Sequence, residues 1–178
     1  MVKNVDDKQS LIRLLQNAYS GELAAFYAYD GHWKSVKNPN ERQEIQKIQQ
    51  EEWDHRQCVG SLLSELGASP RPSRELLMKC VGLVIGFLCR LGGWLIPMHG
   101  AGQLESGNIV EYEVAAQLAH QAGYPHMVEP LLHMAEIEWD HEFYFRQKFL
   151  SHPLHKALPL WKIPPARSTI REKAKLYV

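Results

Sequence analysis

Cysteine is scarce: the 178-residue chain has three, Cys58, Cys80 and Cys89, and no two of them form a Cys-x-x-Cys pair. That excludes a disulfide framework and a rubredoxin-like iron site, and it fits a reducing compartment. Net charge is missing too. Twenty Lys plus Arg balance twenty Asp plus Glu, so no positive field exists to hold a nucleic acid backbone. No glycine-rich dinucleotide loop or flavin motif is present, so electrons for any redox chemistry must come from an external donor. The stretch Met1–Ser10 lacks the apolar core of a signal peptide and the acid-poor basic character of a transit peptide, which gives a cytoplasmic expectation. Alternation of apolar and polar residues, the mark of a strand, is absent throughout.

What is present is helical periodicity at ordinary globular composition, 45% hydrophobic and 22% charged, which fits one domain over residues 1–178. A first helix is predicted from Asp7 to about Trp33, where Leu11, Leu14, Leu15, Ala18, Ala25 and Tyr29 recur at helical spacing. A second starts at Pro39 or Asn40 and stops at Gly67. A third runs from Arg74 to Met98, a fourth from His99 to Gln121, and a fifth from His126 to Leu150. The proline-containing tail from Ser151 reads as an extended wrap with a short helix near Thr169–Leu176. The fold class is all-α.

Glu-Trp-Asp-His occurs twice, at Glu52–His55 and Glu138–His141, and residue types this scarce make the repetition informative. Residues three apart on a helix share a face, so each Glu and its His can reach one point. Two Glu-x-x-His pairs, each with a Glu from a further helix, form the ligand set of di-iron and di-manganese carboxylate bundles. The further carboxylates should lie one helix upstream, at Glu22 and Glu105. The chain therefore reads as a ferritin-like four-helix bundle of two helical hairpins. Glu105 is preferred to Glu111 and Glu113 because Tyr112 follows it by two helical turns, as Tyr29 follows Glu22. The paired tyrosines would be catalytic groups beside the metals. Four buried carboxylates require cations among them, and mixed imidazole and carboxylate ligation selects two iron ions, with manganese the alternative. Asp54 and Asp140 are candidates to accept the second ring N–H of His55 and His141. Trp53 and Trp139 read as packing residues, and His32, His99, His120, His126, His133, His152 and His155 match no ligand spacing.

Around these ligands lie Gly21-Glu22 with Ala25, Tyr29 and Gly31, then Glu52-x-x-His55 followed after a helix by Arg71-Pro72-Ser73. The glycine-spaced run Val81-Gly82-Leu83-Val84-Ile85-Gly86-Phe87 follows, then Gly92, Ala101, Glu105, Tyr112 and Glu138-x-x-His141. From about Tyr19 to Phe149 this order resembles the demethoxyubiquinone hydroxylase family, the di-iron monooxygenases acting late in ubiquinone biosynthesis. The resemblance implies the ligands Glu22, Glu52, His55, Glu105, Glu138 and His141. It also implies O2 as co-substrate and insertion of one oxygen atom into an apolar, quinone-like substrate such as a polyprenyl quinone. The chain departs from the family pattern at Glu111, where a His is usual, at Ile137, where an Asp is usual, and in its tail after Ser151.

Other classes share these ligands. A rubrerythrin- or ferritin-like peroxidase or iron-storage protein is one alternative and a non-catalytic bundle is another, and fold alone separates none of them. The stretch Cys80–Met98 is apolar but broken by Arg90 and by glycines. A central arginine costs roughly 2.5–3.5 kcal/mol on insertion scales, which disfavours a membrane span. This stretch is either a buried helix in the crossover between hairpins or a surface carrying Leu83, Phe87 and Trp94 toward a bilayer or a second copy of the chain.

Overall fold

The computed structural model describes residues 2–175, and every regular element among them is helical. The elements are α1 (Val2–Ser35), α2 (Pro39–Glu65), α3 (Pro72–Leu91), α4 (Leu95–Gln121), α5 (Val128–Ser151) and α6 (Ser168–Ala174), with 3₁₀ turns at Pro125–Met127 and His155–Ala157. No helix among the described residues is long and apolar enough to cross a membrane.

Local chemistry sets the helix ends. The Asn38 side chain accepts from Asn40 N at 2.9 Å and Glu41 N at 3.4 Å, and Pro39 occupies a first-turn position where no N–H is needed. At the far end of α2, Ala68 N donates to Leu63 O at 2.9 Å and Gly67 N to Ser64 O at 3.0 Å, closing the helix with Gly67 at φ 71°. The third helix is shorter than expected: it ends at Leu91, not Met98, and Gly93 at φ 71° turns the chain. The fourth accordingly begins at Leu95, not His99, with Pro97 tolerated in its first turn. The last helix spans Ser168–Ala174, and the expected end at Leu176 lies outside the described residues.

The chain divides into two compact units, one comprising Leu15–Pro97 and the other the residues up to Leu14 with those from Met98 onward. In the Leu15–Pro97 unit, α1 and α2 enclose Leu15, Leu23, Ile45, Ile48, Val59 and Leu63. Gln49 stitches the two helices, accepting from Trp33 Nε1 and donating to Phe26 O, both at 3.0 Å. Buried Arg56 ties in α3 by donating to Tyr19 O at 2.6 Å and to Glu75 Oε2 at 2.8 Å, with its guanidinium 3.6 Å from the Tyr19 ring centre.

The buried residues of α3 are its glycines, Gly82 and Gly86. Any Cβ at Gly82 would collide with the Ala24 backbone, and one at Gly86 would stand 2.6 Å from Tyr27 O, so α3 lies backbone to backbone on α1. With its small residues turned inward, its large ones face out: Leu76, Leu77, Leu83, Val84, Phe87, Leu88 and Leu91 are exposed. The buried-crossover alternative therefore fails. Trp94 does not join this face. It is half-buried, and its Nε1 donates to Glu41 Oε2 at 2.8 Å.

In the other unit, α4 buries Ala115, Ala116 and Ala119 and α5 buries Leu131, Leu132 and Phe145. The tail binds to them as a strap. Trp161 is buried against Gly102, and its Nε1 donates at 2.8 Å to Glu142, a fully buried carboxylate that also accepts from Arg146 Nε at 3.0 Å. Ser106 Oγ donates to Lys162 O at 2.9 Å and Trp139 Nε1 to Pro165 O at 2.8 Å. Ion pairs fasten the end: Arg167 to Asp140 at 3.0 Å, Arg171 to Glu136 at 2.6 Å and Lys173 to Glu113 at 2.6 Å.

Candidate metal centre

Each unit contains one buried triad. In the first, α1 supplies Glu22 and α2 supplies Glu52 and His55, with one ligand atom from each lying within 4.8 Å of the others. In the second, α4 supplies Glu105 and α5 supplies Glu138 and His141, again within 4.8 Å. All of these side chains are at most 4% exposed. The i, i+3 spacing works as the helical period requires: His141 Nδ1 stands 3.7 Å from Glu138 Oε2.

The donor set suits a hard or borderline divalent cation. When ionised, the two carboxylates of a triad place two negative charges in a dry setting, where a dication would offset both the repulsion and the lost hydration. Oxygen and nitrogen donors without thiolate match iron or manganese. Cys58, one turn beyond His55, is half-buried, and burial pushes its thiol pKa up, away from the thiolate that ligates metal.

The other expected residues divide. Tyr29 and Tyr112 are both buried, and Tyr29 stacks on His32 with ring centres 6.0 Å apart. Glu113, a rival to Glu105, is engaged by Lys173 at the strap. Asp54 accepts from Gln50 Nε2 at 3.0 Å and Asp140 is paired with Arg167, so both face the exposed side of their helices. Trp53 packs on Phe26 and Trp139 stacks on Phe143, as packing residues should.

Sequence reasoning missed Arg56 and Asn108. The Asn108 amide donates to Glu105 Oε2 at 3.0 Å and to Glu138 Oε2 at 3.4 Å, joining two members of the second triad. Nothing in the sequence marks it, because one partner lies on another helix.

Searches of curated proteins and of solved structures gave no match. The family model described as ubiquinone biosynthesis protein COQ7 matches residues 9–107, a stretch that includes Glu22, Glu52, His55 and Glu105 and stops before Glu138 and His141. Because that match covers more than half of the chain and agrees with the order of motifs from Gly21 to Gly92, the chain belongs to the ubiquinone biosynthesis protein COQ7 family.

Proposed function

We propose that the two triads hold one di-iron centre in a ferritin-like bundle and that the protein hydroxylates a quinone-like, apolar substrate using O2. The observation that carries this is the duplicated buried triad, Glu22 with Glu52 and His55 and Glu105 with Glu138 and His141, in a member of a ubiquinone biosynthesis family. Each triad would hold one ion. A bound iron pair supplies reduction of O2 and transfer of one oxygen atom to the substrate.

The chain's own residues do the rest. Low exposure of all the ligands excludes bulk water, which keeps oxidising chemistry directed at the substrate. Tyr29 and Tyr112, both buried, would donate hydrogen bonds to ligand or substrate oxygens and so orient them. Electrons come from an external donor. The exposed apolar face of α3 offers a contact with a bilayer, where a polyprenyl substrate resides.

The test is anaerobic loading with ferrous iron and elemental analysis, followed by isotopically heavy O2 with a reductant and a demethoxylated quinone. About two irons per chain are expected, as a ferritin-like dinuclear centre requires. A hydroxylated product carrying one heavy oxygen is expected with them. Iron uptake no greater than in a Glu52→Ala, Glu138→Ala double variant would overturn the metal assignment. Sustained uptake of many irons without organic product would replace hydroxylation with storage.

A further inference from the structure

The two triads are not chemical copies. Three positions after Glu105, on the same face of α4, stands Asn108, whose amide reaches Glu105 Oε2 at 3.0 Å and, across to α5, Glu138 Oε2 at 3.4 Å. At the matching place after Glu22 stands Ala25, whose side chain has no donor. Glu138 Oε2 is also the oxygen nearest His141 Nδ1, at 3.7 Å. One neutral amide thus engages one oxygen on each carboxylate of the second triad and lies on the same oxygen of Glu138 that approaches the imidazole.

Two carboxylates held this close repel unless a positive end of a dipole or a cation lies between them. A neutral donor reduces that repulsion without adding charge that would compete with a cation. Two bonds from one planar amide also fix the rotation of both carboxylate planes, so less ordering is left for the moment of metal binding. Resting on the metal reading given above, we infer that Asn108 is a positioning residue that pre-orders the second triad and makes the two metal positions unequal, the second binding divalent cations more tightly. Outer-shell partners of this kind shift metal affinity by about 10–100-fold.

Cobalt(II) titration of the full metal-free chain, followed by its visible absorption bands, tests this. The parent should show two binding steps. Asn108→Leu keeps the approximate volume and removes the donors, and it should weaken the tighter step by roughly tenfold or more while leaving the weaker one in place. Asn108→Gln, which restores an amide, should recover part of the loss. In a His55→Ala background, which removes the first triad's imidazole, the tighter step should persist and still respond to Asn108→Leu. Thermal unfolding of the metal-free variants identifies any that do not fold, and Asn108→Ala replaces Asn108→Leu in that event. Equal or tighter binding by the Leu or Ala variant overturns the role of Asn108 alone. A parent that takes up no cobalt overturns the metal reading and this inference together.

Discussion

His32 shows how burial sets the behaviour of one residue that the sequence left without a role. It is 2% exposed in α1, and burial lowers its pKa from 6.5 to about 4. The unfolded chain therefore binds a proton on His32 at a pH where the folded chain does not. Stability is full above pH 6.5, falls as pH drops toward about 4, and levels off below. The span corresponds to roughly 3 kcal/mol. Urea unfolding of metal-free parent and His32→Gln between pH 7 and pH 4 should show a shallower decline in the variant; identical slopes would mean that His32 is accessible to protons in the folded state. His55 and His141 were legible as candidate ligands because coordination would impose a spacing, Glu-x-x-His, that a helix translates into shared direction. His32 and Arg56 were not, since burial by itself leaves no local pattern and the partners of Arg56 lie on other helices. Asn108 escaped for the same reason.

At the scale of elements, helix existence and most ends followed from periodicity and from Pro39, Gly67 and Gly123, whereas the partner of each face did not. The apolar run in α3 looked equally like core and like surface, because composition does not say which side touches a neighbour. Its glycines decide. Gly82 and Gly86 turn toward α1 because only a residue without Cβ permits that approach, and the large side chains are left outside. Gly86→Ala places a methyl against a carbonyl that cannot rotate away, so the helices must separate, at a cost of about 1–3 kcal/mol. By contrast, Gly100→Ala in α4 meets open space and should stabilise by up to about 1 kcal/mol through helix propensity. Melting temperatures of the two variants should therefore move in opposite directions, and a Gly86→Ala protein as stable as the parent would show that the α1–α3 contact is looser than the backbone approach indicates. The strap was legible only as an extended wrap. Its course depends on Trp161 filling the space at Gly102 and on Arg167, Arg171 and Lys173 meeting acids on α4 and α5.

For the whole molecule, charge and apolar surface bear differently on whether the protein would bind a bilayer, and the balance can be measured. Twenty basic against twenty acidic residues leave no overall attraction to an anionic bilayer. Binding by this chain must then rest on local features, and α3 has them: Leu76, Leu83, Phe87, Leu88 and Leu91 exposed, with Lys79 and Arg90 also exposed on the same helix. An interfacial helix inserts its apolar face and keeps its cations at the headgroups. The metal-loaded protein is therefore expected to cosediment with vesicles of zwitterionic lipid, with only a small further gain from anionic lipid and little loss in high salt. Leu83→Ser with Phe87→Ser should lower partitioning at least tenfold, since placing each side chain in lipid is worth on the order of 1.5 kcal/mol or more. Both residues are already at least half exposed, so the double variant should keep the parent's melting temperature and iron content. A parent that ignores vesicles but forms dimers broken by the same substitutions would assign the face to a second copy of the chain, and a double variant that unfolds would return these residues to the core.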